Sequence, residues 1–469
     1  MSSNRASNSR LTQPASGRSP SPPHSRWRWV WITAGLSAVA MVSAAAGALL
    51  AVALASTPLM QRQLSAEEAE VFDQGDRIST GMNFRLPQLT RPVHILVLGV
   101  KVLTSDLDDL PADFEDVGYH ALVDSFEGLA DTMLLIRFDP ETNQLTVLSL
   151  PRDTRTEVEG TMTKLNEANL YGAATAATTV SDLLGGVRID RYVRINVQGV
   201  EKLIDALGGV TVYVPQDMKY QDDSQHLYIN LKQGEQHLSG DQALQFLRFR
   251  YDANGDIGRV QRQQMLLRAL QEQTLNPITL ARFPRILSVI QDHLDSNLAV
   301  EELLALVGFA SRTERADVNM LMLPGEFSNP GDYDLSYWLP DEEAIDDMAA
   351  QYFDWGDRPP SDIDPGYLSI AIQDTTDDAD AVAALIERLN EAGYRNVYVN
   401  RDWEQPLDET RIIAQQGDVG SAAAVRAALG FGEVLNESTG ILQSDVTIRL
   451  GDDWQQQADE WASDGAARR

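Results

Sequence analysis

The sequence contains no cysteine among its 469 residues, so disulfide bridges and zinc sites with thiolate ligands are excluded. Basic residues are scarce as well, because 38 lysines and arginines stand against 69 aspartates and glutamates, and the formal net charge is −31. A chain this acidic repels phosphate backbones, and we expect no nucleic-acid partner. The hydrophobic fraction of 43% is typical of globular protein rather than of disorder, and the length predicts about two or three domains.

Acidic residues are absent from the first 60 positions, which hold five arginines, so the rest of the chain carries a formal charge of −36. Residues 29–56 contain no charged residue at all, and Trp27, Trp29 and Trp31 stand at the start of this run. An apolar segment of this length can cross a bilayer as one helix, and tryptophan favours the membrane interface. Since these arginines all precede the segment, the positive-inside rule predicts a disordered cytoplasmic tail (residues 1–28), a transmembrane helix (residues 29–56) and an extracytoplasmic remainder.

The same apolar run could instead be a secretory signal peptide that is cleaved at the small-residue stretch Ala53-Leu54-Ala55. Signal peptides have apolar cores of about 7–15 residues, and this run is much longer. The length favours an uncleaved anchor. We therefore predict a single-pass protein of the cytoplasmic (inner) membrane, in contact with the lipid bilayer and with its bulk outside the cytoplasm.

Strand and helix patterns alternate through the middle of the chain. Short apolar runs at 94–100, 132–138 and 144–150 are typical of buried strands. Segments with helical periodicity, such as 175–184 and 300–310, are interleaved with further strand patterns. This alternation predicts an α/β fold, an α-β-α sandwich with a mixed central sheet.

Changes of composition divide the extracytoplasmic part. The Pro-rich stretch WGDRPPSDIDPG separates the sandwich from a segment whose patterns follow the order β-α-β-β-α-β, which suits a small α+β domain of ferredoxin-like or related fold. That segment has no histidine and no cluster of polar residues, which indicates a binding or docking module. The boundaries that we predict are a stalk (57–91), the sandwich domain (92–354), a linker (355–366), the C-terminal domain (367–452) and a polar tail (453–469).

Several cations of this acidic domain stand beside apolar segments rather than in polar loops. Together with one glutamine, they are Arg152, Lys164, Arg248, Arg250, Arg259, Arg262 and Gln263. Guanidinium groups match phosphate oxygens and a helix N-terminus adds a favourable dipole, so these side chains would form a polyanion site if they converged. Each could equally be a surface residue paired with one of the many carboxylates. Asp131, next to a strand, could cap a loop or bind Mg²⁺.

The order of the motifs resembles that of the LytR-CpsA-Psr family over roughly residues 90–275. The motifs are HILVLGV, DTMLLIRFDPETNQLTVLSLPRDT, KLNEANLYG, IDRYVRINVQGVEKLIDALGGVTVYVP, LKQGEQHLSGDQALQFLRFRYD and GDIGRVQRQQ. The predicted anchor stands where that family has one. The segments YLSIAIQDTT, ETRIIAQQG and SDVTIRLGDDW resemble the accessory LytR-type C-terminal domain of some members.

The resemblance implies that domain 92–354 is an Mg²⁺-dependent phosphotransferase. Family members move a glycan with one phosphate from a polyprenyl pyrophosphate carrier to a hydroxyl group of the cell-wall peptidoglycan. By motif, Asp131 would bind Mg²⁺ and act in catalysis with Arg152 and Arg259, while apolar helices would line a tunnel for the lipid tail. The residues that would contact or support the pyrophosphate are Arg152, Lys164, Arg248, Arg250, Arg259, Arg262 and Gln263.

The sequence departs from the family pattern near the metal. Many members have an aspartate directly after the first strand, as a second metal ligand, where this chain has Lys101. The Arg-Ser pair that commonly precedes the Asp-Thr motif is replaced by Leu129-Ala130. A long acidic loop lies between these positions, and we expect Asp106 or Asp124 to supply the second ligand, or Lys101 to contact phosphate and weaken the dependence on metal.

These departures leave three functions open. The one that we predict is transfer of a glycopolymer to peptidoglycan. The second is an envelope regulator that binds polyprenyl phosphate without turnover, and the third is a lipid pyrophosphatase with water as the acceptor.

Overall fold

The structure is a computed structural model whose described residues all lie in the unit Ala55–Arg469. The described residues are 64–72, 77–81, 87–101, 126, 128–222, 227–249, 255–273, 286, 288–290, 293–329, 331–356, 366–376, 378–400, 406–415, 417–441, 443–455 and 457. No helix within these ranges is long and apolar enough to cross a bilayer. The predicted tail (1–28) and span (29–56) lie outside the described residues.

A six-stranded mixed sheet forms the centre of the fold, with the strand order β11-β6-β1-β2-β3-β12. Its strands are β1 (Val93–Lys101), β2 (Leu129–Asp139), β3 (Gln144–Leu150), β6 (Arg191–Asn196), β11 (Leu294–Ser296) and β12 (Val318–Met322). Strand β1 pairs with β2 antiparallel and with β6 parallel, and β3 pairs with β12 parallel. The predicted α/β fold with a mixed central sheet is therefore confirmed.

Helices pack against both faces of this sheet because its strands are apolar on both sides. In β1, Leu96 and Leu98 contact one core, whereas Ile95 belongs to the core on the opposite face. The first core includes α2 (Ala173–Leu183) and α7 (Glu342–Tyr352), and the second includes α6 (Val300–Ala310). Helix α1 (Ala66–Val71) precedes the sheet.

A smaller layer beside the sheet carries several of the predicted site residues. It contains α3 (Val197–Leu207), α4 (Gly240–Arg248) and α5 (Gly255–Gln273), with the antiparallel pair β7 (Val210–Val214) and β10 (Gly234–Leu238). Their apolar side chains form a separate core that includes Val212, Phe246 and Leu266. The shorter pairs are β4 (Arg155–Val158) with β5 (Thr161–Lys164), β8 (Met218–Asp222) with β9 (Leu227–Leu231), and β13 (Gly325–Phe327) with β14 (Trp338–Pro340).

The C-terminal module, residues 366–457, contains a five-stranded sheet with the order β16-β15-β19-β17-β18. Its elements are β15 (Ser369–Asp374), α8 (Ala379–Glu391), β16 (Asn396–Val399), β17 (Arg411–Ala414), α9 (Val419–Leu429), β18 (Glu433–Asn436) and β19 (Val446–Leu450). Two parallel pairs, β15 with β16 and β17 with β18, flank the central strand β19. The predicted order β-α-β-β-α-β was incomplete, since it omitted β18, and the ferredoxin-like interpretation was wrong.

The sheet of the C-terminal module continues the central sheet at its β12 edge. Met320 of β12 and Glu437, directly after β18, form a parallel bridge, and the Ser438 amide donates to the Met320 carbonyl at 2.9 Å. Asn436 donates to Asn319 at 2.9 Å and to the Tyr352 hydroxyl at 2.9 Å. Burial of that hydroxyl raises the pKa of Tyr352 to about 12. These polar contacts are buried, so they fix the register of the module against the sheet.

Candidate functional site

A β-bulge places Asp131 at the edge of the candidate site. In the β1–β2 ladder, Gly99 pairs with Thr132 and Val100 pairs with Ala130, so Asp131 is the extra residue between two regular pairs. A bulge bends the strand and redirects a side chain, and bulges occur often beside active sites. The Asp131 side chain is 21% exposed, which leaves it accessible to a ligand.

Arg152 lies in the turn that follows β3 and joins two carboxylates. Its Nη1 donates to Asp131 Oδ1 at 2.6 Å, and its Nε donates to Asp153 Oδ2 at 3.3 Å. The turn is closed by Thr154, whose amide and hydroxyl both donate to the Pro151 carbonyl, at 3.0 and 2.6 Å. Strand β3 thus delivers Arg152 to the same sheet edge as Asp131, because β2 and β3 are antiparallel neighbours.

Lys164 extends the network from the β4–β5 hairpin. Its Nζ lies 2.8 Å from Asp153 Oδ1 and 5.7 Å from the centroid of the Tyr337 ring. Asp153 therefore bridges the two cations Arg152 and Lys164, and it is only 13% exposed. Sequence reasoning assigns no separate role to Asp153, although its position next to Arg152 in the Pro-Arg-Asp-Thr motif is a usable signal.

Helix α5 joins the network through Gln263. The Gln263 Nε2 donates to the hydroxyl of Thr132 at 2.8 Å, directly beside Asp131. Arg259 is four residues earlier, so it shares the helix face of Gln263, and both side chains are largely buried. Gly99 keeps this strand end compact, because a Cβ there would lie 3.0 Å from Thr132 Cβ.

Arg262 contacts the segment that follows α4. Its guanidinium donates to the Phe249 carbonyl and stacks near the Phe249 ring, 5.8 Å from the centroid. Phe249 caps α4, directly after Arg248, so Arg262 fixes the end of the helix that carries Arg248. Arg250 lies outside the described residues. The structure thus links Asp131, Arg152, Asp153 and Lys164 by direct contacts and holds Gln263 on Thr132 beside Asp131. Arg259 shares the helix face of Gln263, and Arg262 has a positioning contact.

Two further side chains hold the segment that leads into β2. Asn169, in the short 3₁₀ helix Leu165–Tyr171, donates to the carbonyls of Phe126 and Gly128 at 2.9 and 2.7 Å. Arg194 also donates to the Phe126 carbonyl, at 3.3 Å, and pairs with the buried Asp295 at 2.5 Å. They set the position of β2 just before Asp131. We had not identified Asn169 from the sequence, although it belongs to the quoted motif KLNEANLYG.

The donor set around Asp131 fits Mg²⁺ as a site with one protein carboxylate. Mg²⁺ prefers oxygen ligands, keeps several waters, and is often held by one or two carboxylates together with substrate phosphates. In the part of the chain that the structure describes, no group of three or more acidic or histidine side chains could hold a metal ion. The expected second ligands, Asp106 and Asp124, lie outside that part. Lys101 is the last residue of β1 and pairs with Leu129, which lies two residues before Asp131 in the sequence.

Comparison with known proteins adds the following matches. The model of the LytR_cpsA_psr family matches residues 57–354, and that of the "LytR cell envelope-related transcriptional attenuator" matches residues 367–454. Polyisoprenyl-teichoic acid–peptidoglycan teichoic acid transferase TagU of Bacillus cereus is 29% identical over 219 residues, which is 46% of this chain and 69% of that protein. The TagV transferase of Bacillus subtilis is 30% identical over 223 residues, and this chain spans 56% of its length.

A solved structure is also similar. The crystal structure of TagV from B. subtilis has 26% sequence identity and a TM-score of 0.46, and the match covers 57% of this chain and 99% of that one.

Proposed function

Since the chain belongs to the LytR-CpsA-Psr family, we propose that it transfers a glycopolymer from a polyprenyl pyrophosphate carrier to a hydroxyl group of peptidoglycan. The relatives TagU and TagV, which are named as teichoic acid transferases to peptidoglycan, support this reaction class. The observation that carries the proposal is the connected network of Asp131, Arg152, Asp153 and Lys164, with Gln263 beside it.

The reaction is a phosphoryl transfer. The acceptor oxygen forms a bond to the phosphorus that carries the glycan, the pyrophosphate P–O bond breaks, and polyprenyl phosphate leaves as the hydroxyl proton is lost. Such reactions depend on positioning and on neutralisation of phosphate charge. Arg152 Nη1 lies 2.6 Å from Asp131 Oδ1. An incoming pyrophosphate would compete with that carboxylate for the guanidinium group.

The other cations would surround the same phosphates. Arg259 and the uncharged Gln263 would approach from α5, Lys164 from the β4–β5 hairpin, and Arg248 from the end of α4. The motif adds Arg250 to this group, and that residue lies outside the described part of the chain. Arg262 would act through the Phe249 carbonyl, by holding that helix end in place. Because the chain is so acidic as a whole, a group of cations here would give the anionic substrate a defined place to bind.

The lipid part of the substrate needs an apolar site near the phosphates. Apolar side chains of α3, α4, α5, β7 and β10 pack into one core on the helices that carry Arg248 and Arg259. A polyprenyl chain has no polar groups, so these helices are the proposed wall of its tunnel. The apolar run 29–56 would anchor the protein in the cytoplasmic membrane, with the site outside, where carrier and wall meet.

Product analysis tests the proposed reaction. The full chain in detergent is incubated with a polyprenyl pyrophosphate glycan and peptidoglycan fragments. We expect glycan linked to the wall fragment through one phosphate, and polyprenyl phosphate as the second product. Release of free glycan phosphate alone would identify a pyrophosphatase, and binding without any product would identify a regulator.

We propose that Mg²⁺ binds at Asp131 and supplies charge neutralisation for the pyrophosphate. Within the described residues the proposed site has one carboxylate, and Asp106 or Asp124 would add a second, so the substrate phosphates would complete the coordination. We therefore expect Mg²⁺ to bind weakly to the free protein and at least about tenfold more tightly when a polyprenyl pyrophosphate is present. Calorimetric titration of Mg²⁺ with and without that lipid measures the difference.

Asp131→Asn is the matched variant for the metal, because it keeps the shape of the side chain and removes its charge. We expect this variant to lose the increase in Mg²⁺ affinity that the lipid produces. Equal Mg²⁺ affinity with and without lipid, or full transfer activity of Asp131→Asn in excess chelator, would exclude the metal from the mechanism.

A further inference from the structure

Helix α5 buries polar side chains on several of its faces. These side chains, each at most 8% exposed, are Arg259, Arg262, Gln263, Gln264 and Arg268. Apolar packing has no preferred direction, whereas a buried polar group needs a partner in one particular direction. The polar contacts of α5 therefore determine how the helix is rotated and how far it is shifted along its axis.

One face of α5 serves the candidate site. Gln263 donates to the hydroxyl of Thr132 at 2.8 Å, beside Asp131, and Arg259 lies one turn earlier on the same face. A rotation or a shift of the helix would move both side chains relative to Asp131 and Arg152. The contacts that hold α5 in place therefore contribute to the geometry of the site.

The opposite face of α5 contacts the C-terminal module. Gln261 and Arg268 have the spacing i, i+7, so they share a face, which lies opposite Gln263 on a helix with about 3.6 residues per turn. The Gln261 Nε2 donates to the Gly440 carbonyl of the module at 2.8 Å. Arg268 forms a buried ion pair with Glu437 of the module at 2.5 Å. The module thus binds α5 at two points, about two turns apart.

The segment 437–440, which supplies both contacts, is itself bonded to both sheets. The Ser438 amide donates to the Met320 carbonyl of the central sheet at 2.9 Å, and the Gly440 amide donates to Gln415 Oε1 of the module at 2.9 Å. A Cβ at Gly440 would lie 2.6 Å from the Cβ of Thr447, so glycine is needed for this close approach. The acceptors for α5 therefore have a defined position relative to the central sheet.

We propose that Glu437 and Gly440 of the C-terminal module are positioning residues for the candidate site. They bind one face of α5 and thereby hold the opposite face, with Arg259 and Gln263, in the position that contacts the pyrophosphate. Glu437 and Gly440 act on the substrate through the helix and do not contact it. This role rests on the proposed function, because the pyrophosphate is the ligand of that opposite face.

Gln261→Met tests the contact with Gly440, because methionine has a similar length and no hydrogen-bond donor. We expect the folded variant to bind farnesyl pyrophosphate, a short polyprenyl pyrophosphate, about three- to tenfold more weakly in a calorimetric titration of the full chain in detergent. Gln261→Lys keeps a donor that can reach the carbonyl, so it should retain the affinity of the unchanged protein. Unreduced affinity of folded Gln261→Met would overturn the positioning role.

A double-mutant cycle separates positioning from a general loss of folded protein. The background variant Arg259→Ala/Gln263→Ala lacks the two side chains that α5 presents to the site, while Arg152 and Lys164 remain to bind the pyrophosphate. In this background Gln261→Met should change the affinity for farnesyl pyrophosphate by less than about twofold, because the helix then has no ligand contact to position. A decrease as large as in the unchanged protein would show that Gln261 acts by another route, and it would overturn the proposed role.

Amide hydrogen exchange tests the hold on α5 without any ligand. Gln261→Met and Glu437→Gln should each speed exchange in residues 258–270, because each removes one contact between the helix and the module. Gln443→Met, a change at an exposed residue of the same module, should leave this exchange unchanged. Unchanged exchange in folded Gln261→Met would overturn the positioning role while the transferase function stands. Failure of the unchanged protein to bind farnesyl pyrophosphate would instead overturn the proposed function, and the exchange rates would still decide whether the module holds the helix.

Discussion

Arg152→Ala is expected to reduce glycopolymer transfer at least about 10²–10³-fold while leaving the protein folded. Arg152 contacts both Asp131 and Asp153. Loss of a preorganised donor to a charged transition state has an effect of about this size in other enzymes. Arg259→Ala should have a similar effect, since Arg259 shares its helix face with Gln263. The measurement is the initial rate of wall-linked product from a polyprenyl pyrophosphate glycan.

A neighbouring arginine provides the control for this result. Arg155 is three residues further along, in β4, and its guanidinium lies 5.1 Å from the Tyr333 ring rather than in the network. Arg155→Ala should therefore keep nearly the full rate. The melting temperatures of both variants should stay close to that of the unchanged protein, because Arg152 is partly exposed. Unreduced transfer by folded Arg152→Ala would show that another group neutralises the phosphates.

The central sheet was predictable because its strands carry strong local signals. The apolar run 132–138, the turn residues 139–143 and the apolar run 144–150 are realised as β2, a tight turn and β3. Asp139 accepts hydrogen bonds from the amides of Glu141 and Thr142, and Asn143 has a φ of 59°. These interactions join residues that are close in sequence, so the turn can be predicted from the sequence alone.

The site was predictable only in part, because its contacts connect residues far apart in sequence. The motif order identified Arg152 and Asp131 as candidates, and the structure places them 2.6 Å apart. The bridging role of Asp153 depends on where the β4–β5 hairpin places Lys164, and the sequence carries no signal for that distance. The contact of Arg262 with the Phe249 carbonyl could not be foreseen either, since an arginine in a basic motif is read first as a ligand of phosphate.

The C-terminal module shows a different limit of prediction from the sequence. Strand β18 has only four residues, Glu433–Asn436, of which two are apolar. Such a strand is too short to show a recognisable alternation of apolar and polar residues. Its neighbour Glu437 is among the most buried acidic residues that the structure describes, 3% exposed. No sequence pattern predicts the burial of Glu437, because that burial results from the contact between two sheets.

Glu437→Ala is expected to lower the free energy of unfolding by about 3–5 kcal/mol, the usual result when one partner of a buried ion pair is removed. The substitution would remove the carboxylate that pairs with the buried Arg268 and that interacts electrostatically with the buried Arg449. Burial alone would raise the pKa of Glu437, but the charges of Arg268, Arg315 and Arg449 outweigh it and hold the pKa below its ordinary value of 4.5. Urea unfolding at pH 7, followed by circular dichroism, measures the loss.

The pH dependence of this loss of stability shows whether Glu437 stabilises the protein through an ion pair or through packing alone. A carboxyl group whose pKa is lower in the folded state stabilises the protein above its unfolded pKa, and this contribution is lost as the pH falls through the folded value. The difference in stability between the unchanged protein and Glu437→Ala should therefore be full above about pH 5 and shrink as the pH falls below 4.5. Glu391→Ala is the matched control, because Glu391 pairs with Arg388 on the surface at 3.8 Å and should change stability by less than about 1 kcal/mol. A loss for Glu437→Ala as small as that of Glu391→Ala would mean that the joint between the C-terminal module and α5 does not depend on this charge.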